Sequence, residues 1–165
     1  MDAVTKNWVS REIIIEMIHQ ILKKPIEIAN IKKMSGGFCS AVYLIETLGE
    51  KIVLKIASDK EVKVMRHERK YIQTETDMLK RFNDELDIPM PKLISYDDSG
   101  EICNVPYFFM SYIEGNPLCE DKIITESQRK KVKEKVGIIT KQICTIKADC
   151  FGIPNISESY CKKSS

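Results

Sequence analysis

The chain has 165 residues, which suits one modest domain, or one lobe with part of another. An apolar fraction of 43% is sufficient for a core, and 26 basic against 24 acidic residues leave a net charge of only +2. Because there is no basic block and no apolar run of transmembrane length, we expect neither a nucleic-acid partner nor a membrane. The six cysteines form no CxxC pair and no zinc spacing, so reduced thiols in a cytoplasmic protein are expected.

The first predicted element is a helix over residues 10–24. Ser10 provides an N-cap hydroxyl, and Pro25 ends the helical pattern because proline has no amide hydrogen to donate. Five apolar residues form one stripe along it: Ile14, Met17, Ile18, Ile21 and Leu22. His19 lies off this stripe, so we expect it to face solvent. Residues 26–34 alternate loosely and predict the first strand.

A glycine turn with the hairpin after it is the clearest motif in the sequence. Gly36 and Gly37 have no Cβ, so the backbone can bend sharply there and approach a ligand closely. Successive amides in such a turn can bind an anion. Candidate donors around the turn are Ser35, the amide of Phe38 and Ser40. Two glycines alone are equally typical of an ordinary hairpin.

The two hairpin strands are predicted at residues 41–46 and 51–57, joined by a turn at residues 47–50. Lys55 interrupts the apolar run of the second strand. A lysine in that setting either extends its ammonium to solvent or meets an anion. The sequence leaves both interpretations open: a phosphate-binding lysine, or an edge lysine of an ordinary hairpin.

A long charged segment, residues 61–83, is predicted to form a helix. Its apolar residues recur every seven positions: Met65, Ile72, Leu79 and Leu86. Glu68 and Glu75 lie beside this apolar seam, where a carboxylate is costly unless it is paired. An ion pair between Lys55 and Glu75 would satisfy both groups. Glu68 is an alternative partner, and both glutamates could instead reach water.

Two strands and a helix follow. The strands are predicted at residues 92–96 and 107–113, with a turn at residues 97–100. Residues 114–117 end the second of them, and a last helix is predicted over residues 125–147. Its apolar stripe consists of Val132, Val136, Ile139, Ile143 and Ile146. Because little chain remains to cover this stripe, we expect self-association through it.

Several segments in this order resemble the N-terminal part of the aminoglycoside phosphotransferase and choline kinase-like family, whose members are relatives of protein kinases. They are SGGFCSAVY (35–43), VLKI (53–56), TETDMLKRF (74–82), IPMPKLI (88–94), PYFFMSYIEG (106–115) and Phe151-Gly152. The resemblance implies an α+β fold: a kinase-like N-terminal lobe with an antiparallel sheet of about five strands and a long helix, then a hinge and the first helix of a C-terminal lobe. The expected units are an N-terminal helix (1–25), the nucleotide-binding lobe (26–113), and the hinge exit with a truncated C-terminal lobe (114–165).

The same resemblance implies a site for ATP or GTP with Mg²⁺, in which the glycine loop covers the phosphates. Lys55 contacts those phosphates, and Glu75 rather than Glu68 holds the lysine. The implied nucleotide-binding residues are Ser35, Gly36, Gly37, Phe38, Ser40, Val42, Val53, Lys55, Glu75, Met110, Ser111 and Ile113.

Five of these residues form the expected adenine pocket. The Ser111 carbonyl and the Ile113 amide pair with the adenine edge, while Val42 and Val53 are apolar walls. Met110 lines the back of the pocket. The alternative explanation for Met110 is ordinary core packing, and the side chain could do both.

The sequence departs from the family in two places. The glycine loop carries Phe38, Cys39 and Ser40 where relatives often have a different polar residue. The family's His-Gly-Asp catalytic motif is absent, since both histidines precede residue 70 and neither is followed by Gly-Asp. No catalytic residue and no magnesium ligand can therefore be named in this chain.

We therefore expect the N-terminal portion of a small-molecule kinase that is inactive alone. The whole enzyme would transfer the γ-phosphate of ATP to a hydroxyl of an aminoglycoside-, choline- or sugar-like substrate, bound through the missing C-terminal lobe. Two alternatives remain. One is a stand-alone nucleotide-binding or pseudokinase-like module that acts by binding, and the other is an α+β domain in which a lysine–glutamate pair only joins sheet and helix.

Overall fold

The computed structural model describes residues 5–22, 27–35, 39–63, 70–118 and 123–147. Its elements are α1 (Arg11–Leu22), β1 (Ile28–Lys33), β2 (Ala41–Thr47), β3 (Lys51–Ile56), α2 (Tyr71–Glu85), β4 (Leu93–Asp97), β5 (Tyr107–Ser111) and α3 (Glu126–Ile143). The five strands form one sheet in the order β1-β2-β3-β5-β4, and every neighbouring pair is antiparallel. The predicted α+β class and five-stranded sheet are confirmed.

The three central strands divide their side chains between two faces, because successive residues of a strand point to opposite sides. The residues of one side, here called the core face, are Tyr43, Ile45, Leu54, Ile56, Tyr107 and Phe109, and none is more than 2% exposed. The other side, here called the lysine face, consists of Val42, Val53, Lys55, Phe108 and Met110.

Helix α1 packs on the core face. Its residues Ile14, Met17 and Ile18 are fully buried in one cluster with that face, as the apolar stripe predicted, and His19 is exposed. The chain before α1 is held to β2. The Tyr43 hydroxyl accepts a hydrogen bond from the amide of residue 9 at 2.8 Å and donates one to the carbonyl of the same residue at 3.0 Å. The main hydrophobic core therefore lies between α1 and the core face.

Helix α2 covers part of the lysine face. It contacts β4 and β5 and buries Ile72 and Thr76. The predicted start at residue 61 is wrong, because residues 61–63 are not helical and α2 begins at Tyr71. Asp59 explains the difference: its carboxylate accepts a hydrogen bond from the residue 61 amide at 2.9 Å, and its carbonyl accepts one from the residue 62 amide at 3.1 Å. An aspartate turn of this kind competes with helix formation.

Strand β4 has the predicted length but lies one residue later, and β5 and α3 are each shorter than predicted. Strand β5 ends at Ser111, so Ile113 lies outside the sheet. Helix α3 begins after Thr125, whose hydroxyl and the side chain of Gln128 form a reciprocal capping box. None of the side chains of α3 is buried, and Val136 is 54% exposed.

Candidate functional site

Lys55 lies in the middle of the sheet. It is opposite Val42 of β2 and Phe108 of β5, and its side chain belongs to the lysine face. Its Nζ atom lies 2.6 and 2.8 Å from the two carboxylate oxygens of Glu75, in the second turn of α2. The predicted ion pair is confirmed. Glu68, the alternative partner, lies outside the described residues.

The ion pair is partly open to solvent. The side chain of Lys55 is 19% exposed and that of Glu75 is 33% exposed. Water therefore screens the attraction, and the pair contributes less to folding than its short distances suggest. An ammonium has three N–H donors, so a carboxylate that accepts two of them leaves one for a further acceptor. The arrangement presents an oriented cation whose remaining donor suits a phosphate oxygen.

An apolar patch adjoins Lys55 on the same face of the sheet. Val42 is the cross-strand neighbour of Lys55, and Val53 is the neighbour of Met110. Val53 is 7% exposed, whereas Val42 and Met110 are half-buried. Three apolar side chains therefore lie beside one cation. This combination suits a ligand that carries both an aromatic ring and phosphates.

The chain leaves the sheet immediately after this patch. The amide of Ser111 donates to the carbonyl of Lys92 at 2.9 Å, and the Ser111 hydroxyl accepts from the Lys92 amide at 2.8 Å. These bonds fix the end of β5 against the start of β4. Ile113, two residues on, is 50% exposed. The segment predicted to be a hinge is therefore anchored at its start and exposed beyond it.

A second ion pair joins this exit to the sheet. Nζ of Lys51 lies 2.6 Å from a carboxylate oxygen of Glu114, and the Lys51 carbonyl accepts the amide of Tyr112 at 3.3 Å. The hydrogen bond and the negative charge of Glu114 raise the pKa of Lys51. Because Lys51 is 40% and Glu114 is 73% exposed, this pair is a surface interaction.

The chain on either side of the glycine turn is described, whereas Gly36, Gly37 and Phe38 lie outside the described residues. Ser35 is exposed, and Ser40 is only 7% exposed. The Ser40 hydroxyl accepts a hydrogen bond from the hydroxyl of Tyr71, the first residue of α2. A direct contact between Ser40 and a phosphate stays a prediction.

Two residues that the sequence reasoning missed support this region. Ser58, just beyond β3, donates its hydroxyl to the Cys39 carbonyl, and Tyr71 donates to Ser40. Tyr71 could have been found, because it precedes Glu75 by four residues and therefore lies on the same side of α2. No pattern in the sequence points to Ser58.

A cavity of about 810 Å³ lies elsewhere, between the segment after β3 and the first turn of α2. Among its lining residues are Lys60, Lys63, Lys70, Tyr96 and Asp98. None of the predicted nucleotide-binding residues is among the described residues that line it, but Ser58 and Tyr71 are, so it adjoins the start of α2.

Two features are absent from the parts of the chain that the structure describes. In those parts of the chain, no group of three or more histidine, cysteine or carboxylate side chains is arranged to hold a metal ion. Over the same residues, no helix has the length and apolar character required to cross a membrane.

A five-stranded antiparallel sheet whose central lysine pairs with a helix glutamate is the architecture of a kinase-like N-terminal lobe. The model of the phosphotransferase enzyme family, APH, matches residues 30–160. The chain belongs to this family.

One solved structure supports the fold. The chain is similar to a Ralstonia eutropha JMP134 protein provisionally named an aminoglycoside phosphotransferase, with a TM-score of 0.61 and 11% identity, over 83% of this chain and 38% of that one. At this identity the likeness shows the fold alone. A thermostable mutant of the aminoglycoside phosphotransferase APH(4)-Ia, in a ternary complex with AMP-PNP and hygromycin B, gives a TM-score of 0.48 and 13% identity, over 79% of this chain and 38% of that one. The search of curated proteins found no match.

Proposed function

We propose that the chain is the ATP-binding part of a small-molecule phosphotransferase. The whole protein would move the γ-phosphate of ATP to a hydroxyl of an aminoglycoside-, choline- or sugar-like substrate. The observation that carries this proposal is the Lys55–Glu75 ion pair beside an apolar patch on one face of the sheet. Membership of a phosphotransferase family supports it.

Each part of the site has a task in nucleotide binding. Lys55 contacts the phosphates of ATP, or of GTP, and Glu75 keeps the ammonium pointed at them. The turn formed by residues 35–40, with Gly36 and Gly37, contributes amide and hydroxyl donors. Apolar contacts with the base come from Val42, Val53 and Met110, and the Ser111 carbonyl and Ile113 amide pair with its edge.

The fit of the nucleotide rests on charge and shape. Lys55 supplies a fixed cation. Val42 is its cross-strand partner, and Met110 is the partner of Val53, two residues before Lys55. These half-buried side chains supply an apolar surface beside the cation. Mg²⁺, bound with the nucleotide, neutralises negative charge on the phosphates. We assign no magnesium ligand to this chain.

Acceptor binding and phosphoryl transfer are assigned to residues beyond these 165. The chain spans 38% of the length of each of the two solved proteins described above. The sequence has no His-Gly-Asp motif. Since phosphoryl transfer depends on positioning and charge neutralisation, we propose that the chain alone binds nucleotide without turnover. We also propose residues 26–113 as the nucleotide-binding lobe and the cytoplasm as its location.

The apolar stripe of α3 supports this assignment over a stand-alone binding module. Val136, which belongs to this stripe, is 54% exposed, and no side chain of the helix is buried. Such a surface is expected to pack against further chain or against a second copy. A stand-alone module would instead be a monomer at high concentration, which analytical ultracentrifugation measures.

Isothermal titration calorimetry of the chain with ATP and Mg²⁺ tests the proposal. Lys55→Ala is expected to weaken ATP binding by about tenfold or more, because a hydrogen bond to a charged group contributes about 1.5–3 kcal/mol. Lys80→Ala is the matched control, since it removes the same charge from an exposed position of α2. A folded wild-type chain without ATP binding, or equal affinities for wild type and Lys55→Ala, would refute the proposal.

A further inference from the structure

A hydroxyl pair joins the start of α2 to the start of β2. The Tyr71 hydroxyl donates to Ser40 Oγ across 31 residues of sequence. Ser40 is 7% exposed, so the bond is shielded from water. A buried hydroxyl without a partner is costly, so the bond stabilises the close approach of the two residues. This contact fixes the separation between the first turn of the helix and the strand next to Lys55.

The first turn of α2 is not held by a capping side chain. Its N-cap residue, Lys70, forms no side-chain capping bond, and the first turn contains no acidic residue. Capping groups normally satisfy the free amides at this end of a helix. Contacts from the side of the helix, among them the buried Ile72 and the Tyr71 hydroxyl, therefore help to decide where the first turn lies.

Tyr71 and Glu75 are one helical turn apart on the same side of α2. Tyr71 contacts Ser40, which immediately precedes β2. Glu75 contacts Lys55 of β3, which is the cross-strand partner of Val42 in β2. The two side chains therefore hold neighbouring strands with one helix face. A shift of the first turn moves Glu75 relative to Lys55.

We propose that Tyr71 is a positioning residue for the phosphate-binding lysine. Its hydroxyl bond to Ser40 holds α2 at the place where the carboxylate of Glu75 reaches Nζ of Lys55. The bond from Ser58 to the Cys39 carbonyl supports the same end of β2 from the side of β3. Tyr71 acts through Glu75 and touches no ligand. The inference rests on the proposed nucleotide binding and adds a residue that this function did not assign.

Tyr71→Phe tests the inference, because it removes the hydroxyl and leaves the ring. By calorimetry with ATP and Mg²⁺ we expect affinity to fall about three- to tenfold, the range of one lost hydrogen bond. Affinity for adenosine, which has no phosphate, is expected to change less than about twofold. A purely structural role would weaken both ligands alike. Tyr107→Phe is the matched control, since that hydroxyl lies on the core face beside Gln20 and Asp97.

A double-mutant cycle separates action through Glu75 from independent binding. In a Glu75→Gln background, Tyr71→Phe is expected to have no further effect on ATP affinity. Additive losses would overturn the inference. If Tyr71→Phe does not fold, Ser40→Ala removes the acceptor of the same bond. Because Ser40 is also a proposed phosphate donor, a loss that becomes smaller in the Glu75→Gln background supports the inference, and a loss that is fully retained there overturns it.

The outcomes distinguish this inference from the function beneath it. No ATP binding by the wild type, or binding that survives Lys55→Ala, overturns both. Lys55-dependent binding that is unchanged in Tyr71→Phe overturns the inference alone. Lys55-dependent binding with a loss for ATP but not for adenosine supports both.

Discussion

The two faces of the same three strands differ in what they bury. On the core face, Leu54 and Phe109 pack against α1 and are at most 1% exposed. On the lysine face, their sequence neighbours Lys55 and Met110 are half-buried. Because alternate residues of a strand point to opposite sides, one six-residue strand serves both faces.

This difference separates folding from binding along a single strand. Substitutions on the core face remove contacts with a completed core, so their cost falls on the free energy of unfolding. Substitutions at the half-buried positions of the lysine face change a partly solvated surface with one fixed cation. Their cost is expected to fall on nucleotide affinity.

The largest effect is expected for Phe109→Ala. This ring is 1% exposed and packs edge-on against Tyr107 at 6.1 Å between ring centres. Its removal should lower the free energy of unfolding by about 3–5 kcal/mol, measured by urea denaturation. Met110→Ala, one residue on and half-buried, should cost clearly less. Equal losses at the two positions would remove the distinction between the faces.

The next effect concerns Glu75→Gln, which leaves Lys55 without its carboxylate. ATP affinity is expected to fall about tenfold, while thermal stability changes little because the pair is partly exposed. Glu85→Gln is the matched control on the same helix. Glu85 pairs with Arg81 at 2.7 Å, with 46% and 38% of the two side chains exposed. If both variants weaken ATP binding equally, the weaker binding comes from the changed net charge of α2, and the result contradicts the role assigned to Glu75.

A smaller effect is expected for Tyr107→Phe on the core face. The Tyr107 hydroxyl lies 3.1 Å from oxygens of both Gln20 and Asp97, and so joins α1 to β4. Its loss should reduce the free energy of unfolding by about 1 kcal/mol, measured by urea denaturation. If the free energy of ATP binding by this variant falls by as much as the free energy of unfolding, the two faces are not independent.

The same contact predicts a dependence on pH. Burial alone would raise the pKa of Asp97, but hydrogen bonds from Ser99 and Tyr107 outweigh it and hold the pKa below its usual 3.8. A depressed pKa stabilises the fold above the unfolded value, and this contribution is lost as pH falls through the folded pKa. Urea midpoints measured downward from pH 6 should therefore fall below about pH 4 more in wild type than in Asp97→Asn. Parallel curves would contradict the assignment.

The smallest effect is expected for Lys51→Ala. Lys51 and Lys55 lie on the same side of β3, yet Lys51 pairs with the exposed Glu114. Its removal should leave the midpoint of urea denaturation nearly unchanged and alter ATP affinity by less than about twofold. A tenfold loss of affinity would place Lys51 in the binding site and extend the lysine face toward the hinge.

The sequence alone determined the local features. Alternation in the hairpin and the apolar stripe of α1 each depend on neighbours within a few residues, so the strands and the buried side of the helix could be predicted. It also singled out Lys55 and Glu75, because a lysine and a carboxylate beside apolar seams each need a partner. From the residues alone, Glu68 was an equal candidate, and the resemblance to a family chose between them.

Only the tertiary structure decided how distant elements meet. The strand order, the packing of α1 on the core face and the bond from Tyr71 to Ser40 join residues tens of positions apart. Sheet register and helix placement set such contacts, and no short pattern encodes them. The start of α2 shows the competition directly. Helical periodicity extended back to residue 61, but the Asp59 turn satisfies the amides there, and local hydrogen bonding overrides the pattern.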